Sequence, residues 1–285
     1  MKKTLATLAA AAIAAAPALA DPLTAPLECG DCASWNEAKA PVHLYGGSWY
    51  VGVGGLASVL IATKDGLILI DGDLPQSAPL IEANLKKLGH DMRDVKLILV
   101  SHEHFDHVGG IAALQRDSGA RVLAGAAAAQ ALKQGHPTAA DPQYDPHDQY
   151  SYPVVTRVKT VEDGQTVTLG DVTVTAHRTP GHTPGGTSWS WKSCESGRCL
   201  DMVYSDSLTA FSTAPGYRFT PVAESFRASI AKVRALPCDI LVTTHPGASD
   251  FWKRAEAGKL VDPEACRALA DRAEAALDRR LAQEK

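Results

Sequence analysis

Apolar positions along this chain recur on two periods. Val42–Gly46, Trp49–Val53, Ser58–Thr63 and Leu67–Ile70 are short apolar or alternating runs, mostly separated by glycine-containing turns, and predict four consecutive strands. Ala78–Leu88 switches to helical spacing and stops at Gly89. Val95–Val100 (VKLILV) has the profile of a buried strand. A helical stretch opening at Val108-Gly109-Gly110 and running through Leu114 follows, then a strand at Arg121–Leu123 and an alanine-rich helix at Ala126–Leu132. Gly135–Tyr152 breaks both periods with a long polar stretch rich in Pro and Asp, a length that usually marks a functional or disordered loop. Strands resume at Val155–Val158, Thr166–Leu169, Val172–Ala176, Thr187–Lys192 and Met202–Tyr204. A helix at Val222–Leu236, a strand at Asp239–Val242 and a charged, alanine-rich helix from Pro263 complete the chain.

Both halves run strands first and then alternate strand with helix. That plan predicts an α/β protein with two packed β-sheets flanked by helices, and no linker divides residues 21–285, so one domain is expected. The start of the chain stands apart. Lys2 and Lys3, the apolar Thr4–Ala16 and the Ala18-Leu19-Ala20 site read as a secretory signal peptide over residues 1–20, with cleavage after Ala20. Its apolar part is too short to span a bilayer, so no membrane association is expected once it is removed. Removal takes the 28 basic side chains to 26 against 32 acidic ones, and a net charge of −6 argues against a nucleic-acid partner. No apolar stripe demands a partner subunit, and a monomer is expected.

Export gives the six cysteines meaning, because an oxidising compartment favours pairing. Sequence order suggests Cys29–Cys32, Cys194–Cys199 and Cys238–Cys266, among fifteen possible connectivities. A zinc ribbon using Cys29-x-x-Cys32 is the rival, although no second pair repeats that spacing.

The chemistry concentrates at Ser101-His102-Glu103-His104-Phe105-Asp106-His107, directly after the strand VKLILV. Strand carboxyl ends are where open α/β sheets place ligands. His102 and His104 can converge on one cation, and Asp106 with His107 on a second. Imidazole and carboxylate donors suit Zn²⁺. His182 in Thr179-Pro180-Gly181-His182-Thr183-Pro184-Gly185-Gly186, and His245 in Thr243-Thr244-His245-Pro246-Gly247, also lie at strand ends and complete the donor set. Glu103 should point away from the metals by alternation. His177 reads as a core or supporting histidine, and His43, His90, His136 and His147 as ordinary surface or loop residues.

These residues resemble the metallo-β-lactamase superfamily and, through SHEHFDHVGG, TPGHTPGGTSWSW, the Cys194-to-Cys199 insert, YSDSLTAFS and CDILVTTHP, the class B β-lactamases of the third subclass. The resemblance implies an αββα four-layer sandwich with two zinc ions per chain. His102, His104 and His182 would hold the first zinc, and Asp106, His107 and His245 the second. A hydroxide bridging the zincs would attack the lactam carbonyl, with Asp106 orienting it and moving its proton. Ser207 replaces a Cys ligand of another subclass and, with Thr209, would bind the substrate carboxylate. Gln143 resembles a loop residue that approaches substrate, and Trp35 would wall the cleft. Asp71 would brace the metal loop. Asp206 is either a structural carboxylate or the bridging ligand of a different hydrolase. Relatives pair the amino-terminal Cys with one in the Gly-rich segment, but Val51–Leu56 has none here, so a local Cys29–Cys32 bridge is expected.

The expected function is therefore a periplasmic or secreted zinc β-lactamase that hydrolyses the amide bond of penicillins, cephalosporins and carbapenems and confers antibiotic resistance. The rivals are a zinc hydrolase of the same fold acting on a lactone, thioester or phosphodiester, and a zinc-binding protein without catalysis.

Overall fold

A computed structural model describes residues 21–147 and 149–285; the expected signal peptide lies outside them. The first sheet has seven strands in sequential order: β1 Val42–Tyr45, β2 Ser48–Tyr50, β3 Val59–Thr63, β4 Gly66–Ile70, β5 Val95–Leu99, β6 Arg121–Ala124 and β7 Val158–Thr160. The second has five, ordered β12-β11-β10-β9-β8: β8 Thr166–Leu169, β9 Val172–Arg178, β10 Thr187–Glu195, β11 Arg198–Ser205 and β12 Ile240–Thr243. The helices are α1 Cys32–Trp35, α2 Ala78–Lys87, α3 Phe105–Val108, α4 Ile111–Ser118, α5 Ala126–Gln134, α6 Ala223–Ala235, α7 Phe251–Glu256 and α8 Ala265–Gln283. Pairing is parallel from β4 through β7 and between β11 and β12, and antiparallel elsewhere.

The layers follow from strands that are apolar on both faces. In β4 and β5, Ile68, Ile70, Leu97 and Leu99 face the second sheet, where they meet Trp189, Met202, Ile240 and Val242. Leu67, Leu69 and Ile98 face the other way, under Ile81 of α2, Leu114 of α4 and Leu132 of α5. On the far side of the second sheet, Val203 and Leu241 pack under Phe226 and Ile230 of α6 and Leu269 and Leu277 of α8. Helices thus cover both outer faces, and an αββα sandwich results.

Buried aromatic polar groups cross between the sheets, since a buried indole N–H or phenol needs a partner. Trp189 Nε1 donates to Val100 O (3.1 Å) and Trp191 Nε1 to Ser48 Oγ (3.0 Å). Tyr204 donates its hydroxyl to Ala57 O (2.6 Å) and Asp71 Oδ2 (2.8 Å).

Several element boundaries differ from the sequence pattern. The Trp49–Val53 strand ends at Tyr50, because Val51 N turns to Ser58 O (2.8 Å) and Val53 N to Leu56 O (3.0 Å). The Val155–Val158 strand begins only at Val158; Val155 N instead bonds Leu132 O at the end of α5 (2.9 Å). Strands Thr187–Lys192 and Met202–Tyr204 extend into one long hairpin, whose solvent-facing Lys192, Asp201 and Arg198 break the apolar pattern. The helix expected from Val108 is two pieces, α3 and α4, broken at Gly109-Gly110.

All six cysteines are bonded, as Cys29–Cys32, Cys194–Cys199 and Cys238–Cys266. The zinc-ribbon alternative therefore has no free thiolates to use. Cys238–Cys266 ties the entry to β12 to the start of α8 across 28 residues, a closure worth about 3–4 kcal/mol by chain entropy. Replacing both by Ser should lower unfolding free energy by roughly that amount in denaturant titration. Mass spectrometry of the oxidised wild type should find no thiol to alkylate.

Candidate metal centre

The site lies along one edge of the seam between the sheets. β5 runs out into Ser101–His104, and the single helical turn of α3 carries Asp106 and His107. His182 comes from the turn between β9 and β10, and His245 follows β12. The turn after α3 passes so close to the segment after β4 that a Cβ on Gly110 would lie 2.2 Å from Gly72 O. Asp71, with φ 60°, takes a left-handed conformation that Asp tolerates better than most residues. There it accepts from Ser101 N (2.7 Å), Ser101 Oγ (2.6 Å) and Tyr204 OH, so one buried carboxylate ties the metal loop to both sheets.

Two groups of donor atoms form. The first is His102, His104 and His182, whose ligand atoms lie within 4.8 Å of one another. Their rings are mutually near-perpendicular, with centroids 4.8–4.9 Å apart and interplanar angles of 79–87°. One nitrogen of each ring is already engaged. His102 Nδ1 faces Asp206 Oδ1 at 2.9 Å, His104 Nε2 faces Asp141 Oδ1 at 3.0 Å, and His182 Nδ1 donates to Thr209 O at 2.9 Å. Such partners set the tautomer and leave the opposite nitrogen for a cation. His102 Nε2 is accordingly buried with no hydrogen-bond partner.

The second group is Asp106, His107 and His245. Asp106 Oδ2, His107 Nε2 and His245 Nε2 form a triangle with every side 3.3 Å. Zinc bonds of about 2.0–2.1 Å in a tetrahedron place neighbouring donors about 3.3–3.4 Å apart. The donor set and this spacing fit zinc. His245 Nδ1 is held by Gly55 O at 3.2 Å, and Trp35 packs against its ring with centroids 5.3 Å apart. The groups adjoin, since the rings of His102 and His107 are 4.3 Å apart.

Among the described residues, Asp206 belongs to neither donor group. Besides facing His102, its Oδ1 accepts from Ser207 N at 2.8 Å. Glu103 points away from both groups, as alternation expected, and is buried. It accepts from Thr183 Oγ1 and Gly185 N, both at 2.9 Å, and so pins the turn that carries His182. A Cβ on Gly185 would lie 1.9 Å from Glu103 Oε2, so this contact needs glycine there. Asp141 had no signal of its own in the sequence beyond its place in the polar loop; only the folded loop brings it to His104. Gln143 sits beside it, with Nε2 3.4 Å from His104 Nδ1. Ser207 Oγ bonds Thr244 Oγ1 at 2.7 Å, and Thr209 Oγ1 approaches His182 Nδ1 at 2.9 Å, leaving both hydroxyls on the cleft wall. His177 is outside the centre, bonded to Ser190 Oγ at 2.7 Å.

His102, His182 and Asp106 are held in the forms that bind a cation, whereas His104 is held towards its protonated form. Burial, followed by the neighbouring His107, His104 and His182, holds His102 well below the ordinary histidine range. Burial and then His104 lower His182 to about 3. At His104, burial opposes protonation, but the charge and hydrogen bond of Asp141 outweigh it and raise the ring to about 9. Burial likewise opposes ionisation of Asp106, yet His107 and His245 hold its carboxyl well below the usual range.

The metallo-beta-lactamase superfamily profile matches residues 51–245. Among solved structures, the Rm3 metallo-beta-lactamase superposes with a TM-score of 0.87 at 47% identity, covering 90% of this chain and 99% of that one. MEM-A1, a subclass B3 metallo-beta-lactamase from a soil metagenome library, gives 0.84 at 46% identity, covering 88% and 98%. A hydroxyacylglutathione hydrolase of Rhodopseudomonas palustris is 33% identical over 59% of this chain, and the chain spans about half (52%) of that relative's length.

Two outcomes are expected for the stripped protein. A cation must displace the proton on His104, so affinity should rise roughly tenfold per pH unit from about 7 towards 9, with proton release seen by calorimetry in buffers of different ionisation enthalpy. Asp141→Asn should weaken the first group's cation affinity roughly 10–100-fold in competition with a chromophoric chelator. Wild-type affinity in that variant would remove Asp141 from the site.

Proposed function

Because the chain belongs to the metallo-β-lactamase superfamily, we propose that it is a two-zinc β-lactamase of the third subclass. It would open the ring amide of penicillins, cephalosporins and carbapenems and so confer antibiotic resistance. The observation that carries this reading is the donor set itself. One group has three imidazoles, the other one carboxylate and two imidazoles, and both adjoin a cleft walled by Ser207 and Thr209.

We assign His102, His104 and His182 to the first zinc and Asp106, His107 and His245 to the second. Bound zinc supplies a water acidic enough to attack at neutral pH and a Lewis-acid contact for the carbonyl oxygen. Asp106 is the catalytic residue: its carboxylate would orient the attacking water and help move that water's proton to the ring nitrogen as the amide bond breaks. The Ser207 and Thr209 hydroxyls receive the substrate carboxylate, which needs donors but no formal charge. The Gln143 amide beside His104 and the Trp35 ring against His245 confine the substrate at opposite ends of the centre. No side chain is assigned as a covalent nucleophile.

The hydroxyacylglutathione hydrolase relatives favour a second reading, a thioester hydrolase. Asp206 speaks against it, because its Oδ1 is engaged by His102 Nδ1 and Ser207 N and not placed to bridge two cations. The three disulfides fit an oxidising compartment, and we propose the periplasm. Among the described residues no helix is long and apolar enough to cross a membrane. We propose a monomer with no nucleic-acid partner.

Zinc-loaded protein tested against a penicillin, a cephalosporin, a carbapenem, a lactone and a thioester should turn over the lactams and stop when a chelator is added. His102→Ala should lower kcat/KM by more than the roughly 10–100-fold typical of a residue behind a ligand. Turnover of the thioester alone would sink the lactamase assignment.

A further inference from the structure

A cavity of about 460 Å³ opens off the metal centre, between the carboxyl ends of β11 and β12 and the inner face of α8. Ser207, Thr209 and His245 form its metal-side end. From α8 it is lined by Leu269, Arg272, Ala273, Ala276 and Arg279, whose spacing puts them on one stripe of the helix. Ala273 and Ala276 leave the room, since a larger side chain at either position would enter it. The volume lies in the range of small-molecule sites, roughly 300–1,000 Å³, and exceeds what a ring carboxylate at Ser207 and Thr209 needs.

Charge marks what the cavity takes. The other basic residues on and beside α8 are paired: Arg227 and Arg234 with Asp271, Glu274 and Asp278, Arg267 with Glu264, and Arg280 with Glu284. Arg272 and Arg279 pair with no acid among the described residues. Arg272 donates one N–H to Ala248 O at 3.0 Å, and among the described residues Arg279 forms no hydrogen bond or ion pair. Seven residues apart, they stand about 10 Å from each other along the helix axis. The acid lining the cavity, Asp206, is turned to His102 and Ser207 N. Two exposed guanidiniums without an ion pair therefore border an apolar-walled space, and Arg272 also lines an adjoining pocket that holds Asp250 and Asp262.

We propose that this cavity is a specificity subsite for a second anionic group of the substrate, carried on the substituent next to the ring carboxylate, with Arg272 and Arg279 as its countercharges. The proposal rests on the lactamase reading for the identity of the substrate. A guanidinium suits the role because its planar fork can meet a carboxylate with two parallel hydrogen bonds.

The test uses two cephalosporins that differ only in whether that substituent, joined through carbon–carbon bonds, ends in an acid or its amide. Wild-type zinc enzyme should favour the acid. The Arg272→Ala/Arg279→Ala double variant should lose about 5–10-fold in kcat/KM on the acid, through KM, and less than about twofold on the amide. Turnover of the amide serves as the control for folding. Ala276→Leu should reduce the preference by filling the space. Equal losses on both compounds would show that the arginines serve only the common carboxylate and would overturn the proposal.

A second readout does not depend on turnover. The ring-opened acid and amide products, prepared with alkali, are titrated calorimetrically into each protein. Tighter binding of the acid by the wild type, lost in the double variant, supports the subsite. Equal binding by the wild type, or a preference that survives in the double variant, refutes it. Arginine-dependent binding of the acid product by a protein that opens no lactam would sink the lactamase reading and leave the subsite standing.

Discussion

The two sheets must hold a fixed position against each other, because each candidate metal site draws donors from both. His102 and His104 come from the first sheet and His182 from the second; Asp106 and His107 come from the first and His245 from the second. A slip along the seam would open both groups at once. The hydrogen bonds of Trp189, Trp191 and Tyr204 across the seam oppose that slip. Each also satisfies a donor that would be costly to bury alone. Asp71 concentrates the effect, joining Ser101 of the metal loop to Tyr204 of the opposite sheet. Close packing at the seam and donor geometry at its edge are thus one requirement.

Around the donors, carboxylates set ring orientation. Asp206 holds His102, Asp141 holds His104, and Glu103 holds the turn bearing His182. These contacts occupy the ring nitrogen facing the protein, so the free lone pairs converge inward. The remaining neighbours act by shape: Trp35 lies on His245, and glycines at positions 110 and 185 allow the backbones to meet. Fold similarity by itself would not assign chemistry. The arrangement of donors and the identity of Asp206's partners narrow it.

α8 has a double part. One stripe closes the core with Leu277 and Ala270, while an adjoining stripe of small residues and arginines borders the cleft. From sequence that helix reads only as charged and exposed, because the acids at 271, 274 and 278 mask which arginines are left without an acidic partner. Where α6 lies against it decides the matter, since Arg227 and Arg234 take up those acids.

Much was determined by local sequence. The strand VKLILV followed by H-x-H-x-D-H, the histidines at 182 and 245, and apolar runs bounded by Gly and Pro are short-range signals of strand ends and metal donors. The sandwich follows from strands apolar on both faces, which must be covered twice. The long β10–β11 hairpin was only partly legible, because its outer residues face solvent and carry charge. The strand at Val158 was displaced because an amide three residues earlier found a carbonyl at the end of α5. What tertiary structure alone decided were contacts between residues far apart in the chain: Asp141 at His104, Asp206 at His102, Trp35 at His245, and the two arginines over the cleft that form no ion pair. Hydrophobic period encodes which face a side chain takes, but not which distant partner it meets there. Partner choice depends on how the two sheets and their covering helices dock.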